Sequence, residues 1–336
     1  MEFLRLGRSE LKVPPLTIGT AHFGDPQRTA WHLGEDDIGS LVRCAIDRGL
    51  VFFDTATSYG GGLAEQRLGA AIEALGVREE TLIATKVFFP TGPGPNDRGL
   101  SRRHLLSAVD SSLARLRTDR IDLLYIHRWD AETPIEETLA ALEDLVRSGR
   151  VRYLGASSMS AWRLMKAVAL QREAGISTFV AMQGHYNLLY REEEREMIPM
   201  CREEGLGYLA WSPLARGLLA GSRADARRLA ADRRLASWRC KVNEASVLGA
   251  LDALAVARGE LPAALAIAWL RTRDVVPVVG AASVEELDIA LRGLAIELGR
   301  EAVEALEQGY TARPVVGFDP AAESATALHP RQAEAR

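Results

Sequence analysis

Eight short apolar segments alternate along the chain with longer amphipathic segments, and this alternation limits the possible folds more than any other feature. Three of the segments, Leu50–Phe53, Ile121–Ile126 and Val275–Val279, are apolar runs rather than alternating patterns. Such runs are typical of parallel strands that are buried on both faces. The predicted strands lie near residues 16–20, 50–54, 81–86, 121–126, 151–156, 180–183, 206–211 and 275–279.

The segments between these strands carry helix signals. Residues 135–142 have apolar side chains at helical spacing, Arg147 falls in the last turn, and Gly149 follows as a stop signal. Ser101 is placed to cap the next predicted helix upstream. Eight βα units predict an α/β fold in which the parallel strands close into a single (β/α)₈ TIM barrel.

The two ends of the chain differ from this repeating pattern. Residues 2–13 predict an N-terminal β-hairpin that turns near Gly7 and plugs the bottom of the barrel. We expect one barrel domain over residues 1–318 and a flexible tail over residues 319–336, which are rich in Ala, Glu and Arg.

An open doubly wound sheet is the alternative α/β fold. It would carry a Gly-x-Gly-x-x-Gly turn after its first strand. The first predicted strand instead continues as Ile18–Gly24, and Gly60–Gly62 after the second strand also lacks the spacing. The barrel is therefore favoured, and 336 residues are enough for one, since such barrels need about 250.

Composition narrows the possible partners and the compartment. A formal net charge of −4 offers no excess of positive charge for a nucleic-acid backbone. Cys44, Cys201 and Cys240 are widely spaced and suit neither a disulfide framework nor a zinc site. The chain start lacks a signal-peptide pattern, and no apolar stretch reaches the ~20 residues of a membrane span. We therefore expect a cytoplasmic protein without nucleic-acid or membrane partners.

Barrel enzymes build their sites at the C-terminal ends of the strands. Three successive predicted strands end in Asp54, Lys86 and His127, and Tyr59 lies five residues after Asp54. One such residue alone is usually a loop cap or a solvated side chain, but three in succession are much less expected by chance. The later strands end in Ser157 and Ser158, Gln183, Ser212 and Gly280.

These four side chains could act together as an acid catalyst. A buried lysine ammonium beside a tyrosine hydroxyl stabilises the phenolate, and a carboxylate keeps the lysine charged. Tyr59 could then give a proton near neutral pH, while His127 orients a substrate carbonyl. Carbonyl reduction also needs a hydride, which implies a nicotinamide or flavin.

Two other chemistries stay open at this point. Lys86 could form a Schiff base with a carbonyl substrate, as in a barrel lyase that needs no cofactor. A metal site made of Asp54, His127 and His185 is weaker, because the ligands are few and Lys86 would repel the ion.

The segments that carry these residues resemble the aldo-keto reductase family, over residues 3–318. Phe53–Gly60 resembles the family's D-T-A-x-x-Y-G signature, and Lys86 and His127 stand in matching motifs. The resemblance implies a catalytic tetrad of Asp54, Tyr59, Lys86 and His127 that reduces an aldehyde or ketone with NAD(P)H. The segment His185–Arg191 resembles the bacterial branch that is related to potassium-channel β subunits, which implies a cofactor-sensing partner module as an alternative function.

The resemblance also implies a cofactor site. Ser157 and Ser158 lie in a G-x-S-N-like motif with Ser replacing the usual Asn, Gln183 would bond the nicotinamide carboxamide, and Trp211 would stack on its ring. The implied cofactor-binding residues are Gly19, Thr20, Ala21, Asp54, Ser157, Ser158, Gln183, Trp211, Ser212, Pro213, Leu214, Arg216, Gly217, Arg223, Gly280, Ala281, Ala282, Ser283 and Glu286.

Two positions depart from the family pattern. Gly184 stands where relatives have Asn, and the loop after strand eight offers Ser283 and Glu286 where relatives place groups that bind a 2′-phosphate. NADP(H) is the expected cofactor. NAD(H) stays open, because neither Ser283 nor Glu286 brings a positive charge to a 2′-phosphate, unless Arg223 supplies that charge. We expect no metal and a small carbonyl substrate; an oligomer stays open. The substrate pocket is expected to be lined by Trp31, Phe88 and Trp129, on loops that also carry His32 and Phe89.

Overall fold

A computed structural model describes residues 2–29, 31–223 and 241–315, with side chains described over 2–29, 31–221 and 243–315. The described strands are β1 Leu4–Arg5, β2 Lys12–Val13, β3 Thr17–Gly19, β4 Phe52–Asp54, β5 Leu82–Val87, β6 Ile121–Ile126, β7 Val151–Ser157, β8 Phe179–His185, β9 Gly207–Trp211 and β10 Val276–Val279. Eight parallel strands form a closed barrel in the order β10-β3-β4-β5-β6-β7-β8-β9, which confirms the predicted (β/α)₈ fold.

Helices cover the outside of the barrel. They are α1 Glu35–Asp47, α2 Leu63–Leu75, α3 Arg102–Leu116, α4 Ile135–Arg147, α5 Ala161–Glu173, α6 Met197–Glu204, α7 Lys241–Arg258, α8 Pro262–Arg271, α9 Val284–Ala295 and α10 Arg300–Glu307. Short 3₁₀ segments occupy Tyr59–Gly62, Arg78–Glu80, Glu192–Glu194 and Ala215–Arg223.

The predicted helix signals lie where the helices begin and end. The Ser101 side chain caps α3 by accepting from the backbone N–H of His104 at 3.3 Å. Helix α4 ends at Arg147, and Gly149 follows with a left-handed φ of 76°. No single described helix is long and apolar enough to cross a membrane; Asn243–Arg258 and Pro262–Arg271 meet the criterion only as a pair, which is bent by 102°.

The N-terminal hairpin closes the bottom of the barrel, as predicted. Its strands β1 and β2 pair antiparallel, and Leu6, Leu11 and Val13 are buried against side chains of the barrel interior. The turn packs against the start of β9, because a Cβ on Gly7 would lie 2.3 Å from the carbonyl oxygen of Gly205. Gly7 also has a φ of 60°, so glycine is required there on two grounds. The predicted tail, residues 319–336, lies outside the described residues.

The barrel strands are buried on both faces, which explains their continuous apolar runs. Phe52 belongs to the inner core, with Leu123 and Tyr125, whereas Phe53 belongs to the outer core between the strands and the helices. Side chains alternate along a strand, so the residues two positions after inward ones also face inward. This alternation carries Asp54, two residues after Phe52, to the top of the barrel interior.

Candidate active site

Lys86 lies at the centre of the site. It is fully buried, and its Nζ bonds the Asp54 carboxylate, the carbonyl oxygen of Thr55 at 2.8 Å and the Tyr59 hydroxyl at 3.4 Å. Three of the four residues of the predicted tetrad, Asp54, Lys86 and Tyr59, are thus connected through Lys86. Lys86 and Asp54 come from the neighbouring strands β5 and β4, whose parallel pairing brings their ends together.

The surroundings of Lys86 keep it charged. Burial alone lowers the pKa of Lys86, but the charge of Asp54, followed by Tyr59 and the hydrogen bonds to both, outweighs burial, so the pKa of Lys86 is raised. A lysine must lose its proton before it can attack a carbonyl to form a Schiff base. The geometry therefore favours a positioned cation over a nucleophile.

The Asp54 carboxylate has a second partner, Gln183. Gln183 Nε2 donates to Asp54 Oδ2 at 2.8 Å, while Asp54 Oδ1 faces Lys86. Both oxygens of this buried carboxylate are therefore bonded. The sequence placed Gln183 at the cofactor but missed this contact, because the two residues are 129 positions apart. The floor below is Tyr125, whose ring centroid is 5.8 Å from Lys86 Nζ.

Helix α2, which follows the Tyr59 segment, anchors β5 through Glu65 and packs closely on α3 at Gly69. Glu65 is fully buried, accepts from Thr85 Oγ1 at 2.6 Å and pairs with Arg115 at 2.7 Å. Thr85 immediately precedes Lys86, so Glu65 holds the strand that presents the lysine. Gly69 lets α2 approach α3, since a Cβ there would lie 2.6 Å from the backbone of Leu116.

His127 shares the top of the barrel with Tyr59. The two ring centroids are 6.1 Å apart at an interplanar angle of 81°, and Phe89 packs edge-on against His127 at 4.8 Å. All three side chains line one large cavity. His127 is therefore placed beside the Tyr59 ring at the wall of the cavity.

This cavity has a volume of about 760 Å³ and opens at the C-terminal ends of the strands. Most of the predicted cofactor residues line it: Gly19, Ala21, Asp54, Ser157, Gln183, Trp211, Ser212, Pro213, Leu214, Arg216, Gly217, Gly280 and Glu286. Thr20, Ser158, Ala281, Ala282 and Ser283 lie beside the lining rather than in it. The Arg223 side chain lies outside the described part of the chain.

The residues predicted for the substrate pocket divide between the cavity and the core. Trp31 and Phe89 line the cavity, whereas Phe88 and Trp129 pack against the outer core. Arg128, which sequence reasoning missed, also lines the cavity. It directly follows His127 after β6, so the strand-end rule that found His127 could also have found Arg128.

Trp211 is held on one face by a stack of aromatic rings. His185 stacks on Trp211 at 4.2 Å and on Tyr190 at 4.3 Å, with interplanar angles of 6° and 14°. Burial, followed by the charges of Arg313 and Arg216, lowers the pKa of His185 to about 3, so the stacked imidazole is neutral. The Trp211 indole N–H donates to Ser158 Oγ at 3.0 Å. The indole thus has a fixed position in the cavity wall.

Left-handed backbone is concentrated at the ends of β7 and β9. Ser158, Ser212, Ala215 and Arg216 have φ values of 49°, 52°, 48° and 58°. Non-glycine residues adopt this region at an energetic cost, and such residues cluster at ligand-binding loops. Asn tolerates this conformation better than Ser, so Ser158 holds it at a higher energetic cost than an Asn would.

In the loop after β10, the carboxylate of Glu286 bonds the backbone of the same loop. Ser283 caps α9 by accepting from the N–H of Glu286 at 3.3 Å, and Glu286 Oε2 accepts from the N–H of Ala282 at 2.7 Å. The expectation that Glu286 lies near the cofactor region agrees with its place in the cavity lining. His22, which sequence reasoning missed, also lines this end and donates from Nε2 to the carbonyl oxygen of Ala281 at 2.6 Å.

No group of three His, Cys, Asp or Glu side chains among the described residues is arranged to hold a metal ion. Asp54 instead bonds Lys86 and Gln183, and His185 is enclosed by rings.

Comparisons with known proteins show the family of the chain. A model of the aldo/keto reductase family matches residues 15–310. An aldo-keto reductase of Alternaria alternata is 38% identical to the chain, over 94% of this chain and 93% of its own length. The versiconal hemiacetal acetate reductase of Aspergillus parasiticus is 37% identical, over 94% and 98%. A putative aryl-alcohol dehydrogenase of Schizosaccharomyces pombe is 35% identical, over 93% and 96%.

Proposed function

The chain belongs to the aldo-keto reductase family, and we propose that it reduces aromatic aldehydes or ketones to alcohols with Tyr59 as the proton donor. Carbonyl reduction follows from the family and from relatives that are named as reductases and as an alcohol dehydrogenase. The observation that carries the residue assignment is the chain of contacts from the buried Asp54 through the buried Lys86 to the hydroxyl of the partly buried Tyr59.

Each member of the tetrad then has one task. Asp54 keeps Lys86 protonated, and the Lys86 ammonium stabilises negative charge on the Tyr59 oxygen when that oxygen gives its proton to the substrate. His127, at the cavity wall beside Tyr59, orients the substrate carbonyl. Gln183 holds the second oxygen of Asp54, so the carboxylate cannot turn away from Lys86. The same groups serve the reverse oxidation of an alcohol.

The residues present fit a nicotinamide cofactor, which supplies the hydride when it is bound. Trp211 offers a fixed indole face in the cavity, because its other face is covered by His185. The Ser212–Gly217 loop and Gly280 also line the cavity, and Arg216 brings a cation to the loop. We propose that these residues hold the cofactor.

We further propose that discrimination between NADPH and NADH is small. A 2′-phosphate needs cations or N–H donors around it. Glu286 brings a negative charge to the cavity and itself accepts from Ala282 N–H near the start of α9, so it competes with an anion for the helix end. Family resemblance favours NADPH, whereas the charge of Glu286 opposes it. We therefore expect the affinities for NADPH and NADH to differ by no more than about tenfold.

The wall of the cavity supports the aromatic substrate class. Trp31, Tyr59, Phe89 and Trp211 surround the proposed reaction centre. Flat apolar walls favour flat apolar ligands, with a few polar groups fixing their orientation. A protein named as a putative aryl-alcohol dehydrogenase is also among the relatives.

Three finer statements stay predictions of the sequence. These are the relationship to bacterial reductases of the channel β-subunit branch, a cytoplasmic location, and the absence of nucleic-acid and membrane partners. The relatives named above are fungal and do not test the branch.

The experiment is a cofactor titration followed by a carbonyl panel. Oxidation of NADPH and NADH is followed by absorbance with substituted benzaldehydes, aryl ketones and aliphatic aldehydes of matched size. We expect turnover with the aromatic members and its near loss in Tyr59→Phe. Equal turnover of aliphatic aldehydes would refute the aromatic class, and full activity of Tyr59→Phe would refute the acid assignment.

A further inference from the structure

We propose that Arg128 recognises an anionic oxygen, such as a carboxylate, on the aromatic carbonyl substrate. This inference rests on the proposed reductase function and names the substrate more narrowly. It concerns a positively charged group in the same cavity as Tyr59 and His127.

The first support is the position of Arg128 in the chain. It directly follows His127 after β6, so both side chains leave the same strand end. Both line the cavity, and Tyr59 lines it beside them. A substrate whose carbonyl meets Tyr59 and His127 therefore lies next to the Arg128 side chain.

The second support is how the guanidinium is held. Its carbon lies 5.4 Å from the centroid of the Phe89 ring, and Nη1 donates to the backbone carbonyl of His127 at 2.6 Å. A cation–π contact with an aromatic ring and a bond to the main chain both restrict the motion of the group. A guanidinium fixed in this way loses little side-chain freedom when it binds a carboxylate, and it carries five N–H donors in a planar fork.

The third support is the distribution of charge around the cavity. Among the described lining residues, Asp54 is neutralised by Lys86, while Arg216 and Glu286 lie in the loops proposed for the cofactor. Arg128 is thus the charged side chain on the His127 side of the described lining. An aromatic substrate fits the walls of Phe89 and Trp31, and its anionic substituent fits the guanidinium at their edge.

A purely packing role for Arg128 makes a different prediction. If the side chain only covers Phe89, its replacement would affect neutral and anionic substrates alike. If it binds the substituent, its replacement would change the ratio between them. Hydrogen bonds to charged groups typically change an equilibrium by about tenfold to a hundredfold. Because Arg128 is partly exposed, we expect the lower end of that range.

The test compares 3- and 4-carboxybenzaldehyde with their methyl esters, which have similar shape and no charge. We expect wild type to prefer at least one acid over its ester by about tenfold in kcat/KM. Arg128→Met should reduce this ratio to about one, and Arg128→Lys should retain part of it. Arg102→Met is the matched control, since Arg102 is an exposed arginine at the start of α3 outside the described cavity lining, and it should leave the acid-to-ester ratio unchanged.

A second measurement does not depend on turnover of the acids. Benzoate should inhibit reduction of a neutral aldehyde competitively in wild type, benzamide should inhibit much less, and the difference should vanish in Arg128→Met. A wild-type ratio near one for both isomers, or a ratio unchanged in Arg128→Met, would overturn the proposal while ester turnover still supports the reductase function. If neither acid nor ester is reduced with either cofactor, the aromatic reductase function fails as well.

Discussion

Replacing Lys86 with Met tests whether the buried ion pair supports both the fold and the chemistry. The substitution keeps a long unbranched side chain and removes the charge. It leaves the Asp54 carboxylate buried beside Thr55 and Tyr59, with Gln183 as its remaining strong donor. Breaking one side of a buried pair leaves an uncompensated charge in a poorly hydrated interior.

The expected magnitude follows from that burial. Removing one partner of a buried ion pair costs about 3–5 kcal/mol, and Asp54 and Lys86 are both almost completely inaccessible. Asp54→Asn combined with Lys86→Met removes both charges and should recover most of that loss. At roughly 2 °C per kcal/mol for a domain of this size, the single variant should melt about 6–10 °C below wild type.

The assay pairs thermal unfolding with turnover of one confirmed aldehyde. The single variant and the double variant should both lose about 10²–10⁴-fold in kcat, because neither supplies the cation beside Tyr59. Only the double variant should regain stability. The reasoning is refuted if Lys86→Met melts with wild type, or if the double variant recovers turnover.

Four further perturbations follow from individual contacts. Tyr59→Phe should lower kcat by about 10²–10⁴-fold and leave cofactor affinity unchanged, as measured by tryptophan fluorescence; weakened binding of the cofactor would contradict a role limited to proton transfer. Gly184→Ala should destabilise the protein by about 1–3 kcal/mol, because the added Cβ would lie 1.9 Å from the Tyr208 hydroxyl oxygen; Tyr208→Phe should recover part of the loss in urea unfolding. His185→Phe should make the stability of the protein less sensitive to acid. The pKa of His185 is about 3 in the folded state and higher in the unfolded state, so the free energy of unfolding of wild type should fall as pH drops below about 6.5, by about 2 kcal/mol between pH 7 and pH 5. An equal loss in the variant would show that His185 is not the cause. Glu286→Gln keeps an oxygen acceptor for Ala282 N–H and removes the charge, whereas Glu286→Arg adds a donor for a phosphate. The ratio of NADPH affinity to NADH affinity, measured at fixed ionic strength, should therefore rise from wild type to Glu286→Gln and again to Glu286→Arg. An unchanged ratio would mean that the 2′-phosphate binds away from Glu286.

The barrel could be predicted because its strands carry their own signal. Burial on both faces makes runs such as Ile121–Ile126 apolar, and that pattern is independent of which strands pair. The strand-end rule then located Asp54, Lys86 and His127. It succeeded because regular alternation up to the end of a strand fixes which side chain faces the barrel interior.

His127 still follows the alternation although β6 ends at Ile126, because its N–H donates to the carbonyl oxygen of Val87 and continues the strand pairing. The loop residues farther from the strands have no such pairing. Their aromatic character predicted a pocket wall, but composition does not say which of Phe88, Phe89 and Trp129 turns toward the cavity. Of these three, Phe89 lines it, together with Arg128. Contacts between distant strands, such as that of Gln183 with Asp54, depend on register and curvature that no local pattern contains.

The proton-transfer residues and the residues of the substrate wall are therefore held in place by different parts of the structure. This difference determines how the substrate specificity can change. Asp54 and Lys86 are held by paired strands, a buried ion pair and the anchor of Glu65 beneath β5, so few substitutions there preserve the fold. Arg128 and Phe89 lie beyond the strands and are partly exposed, so replacing them disturbs less of the core. A family built this way can retain one proton-transfer chemistry while its substrates diverge. We expect variants at Arg128 to redistribute activity among substrates at nearly constant melting temperature, in contrast to the large stability loss expected for Lys86→Met.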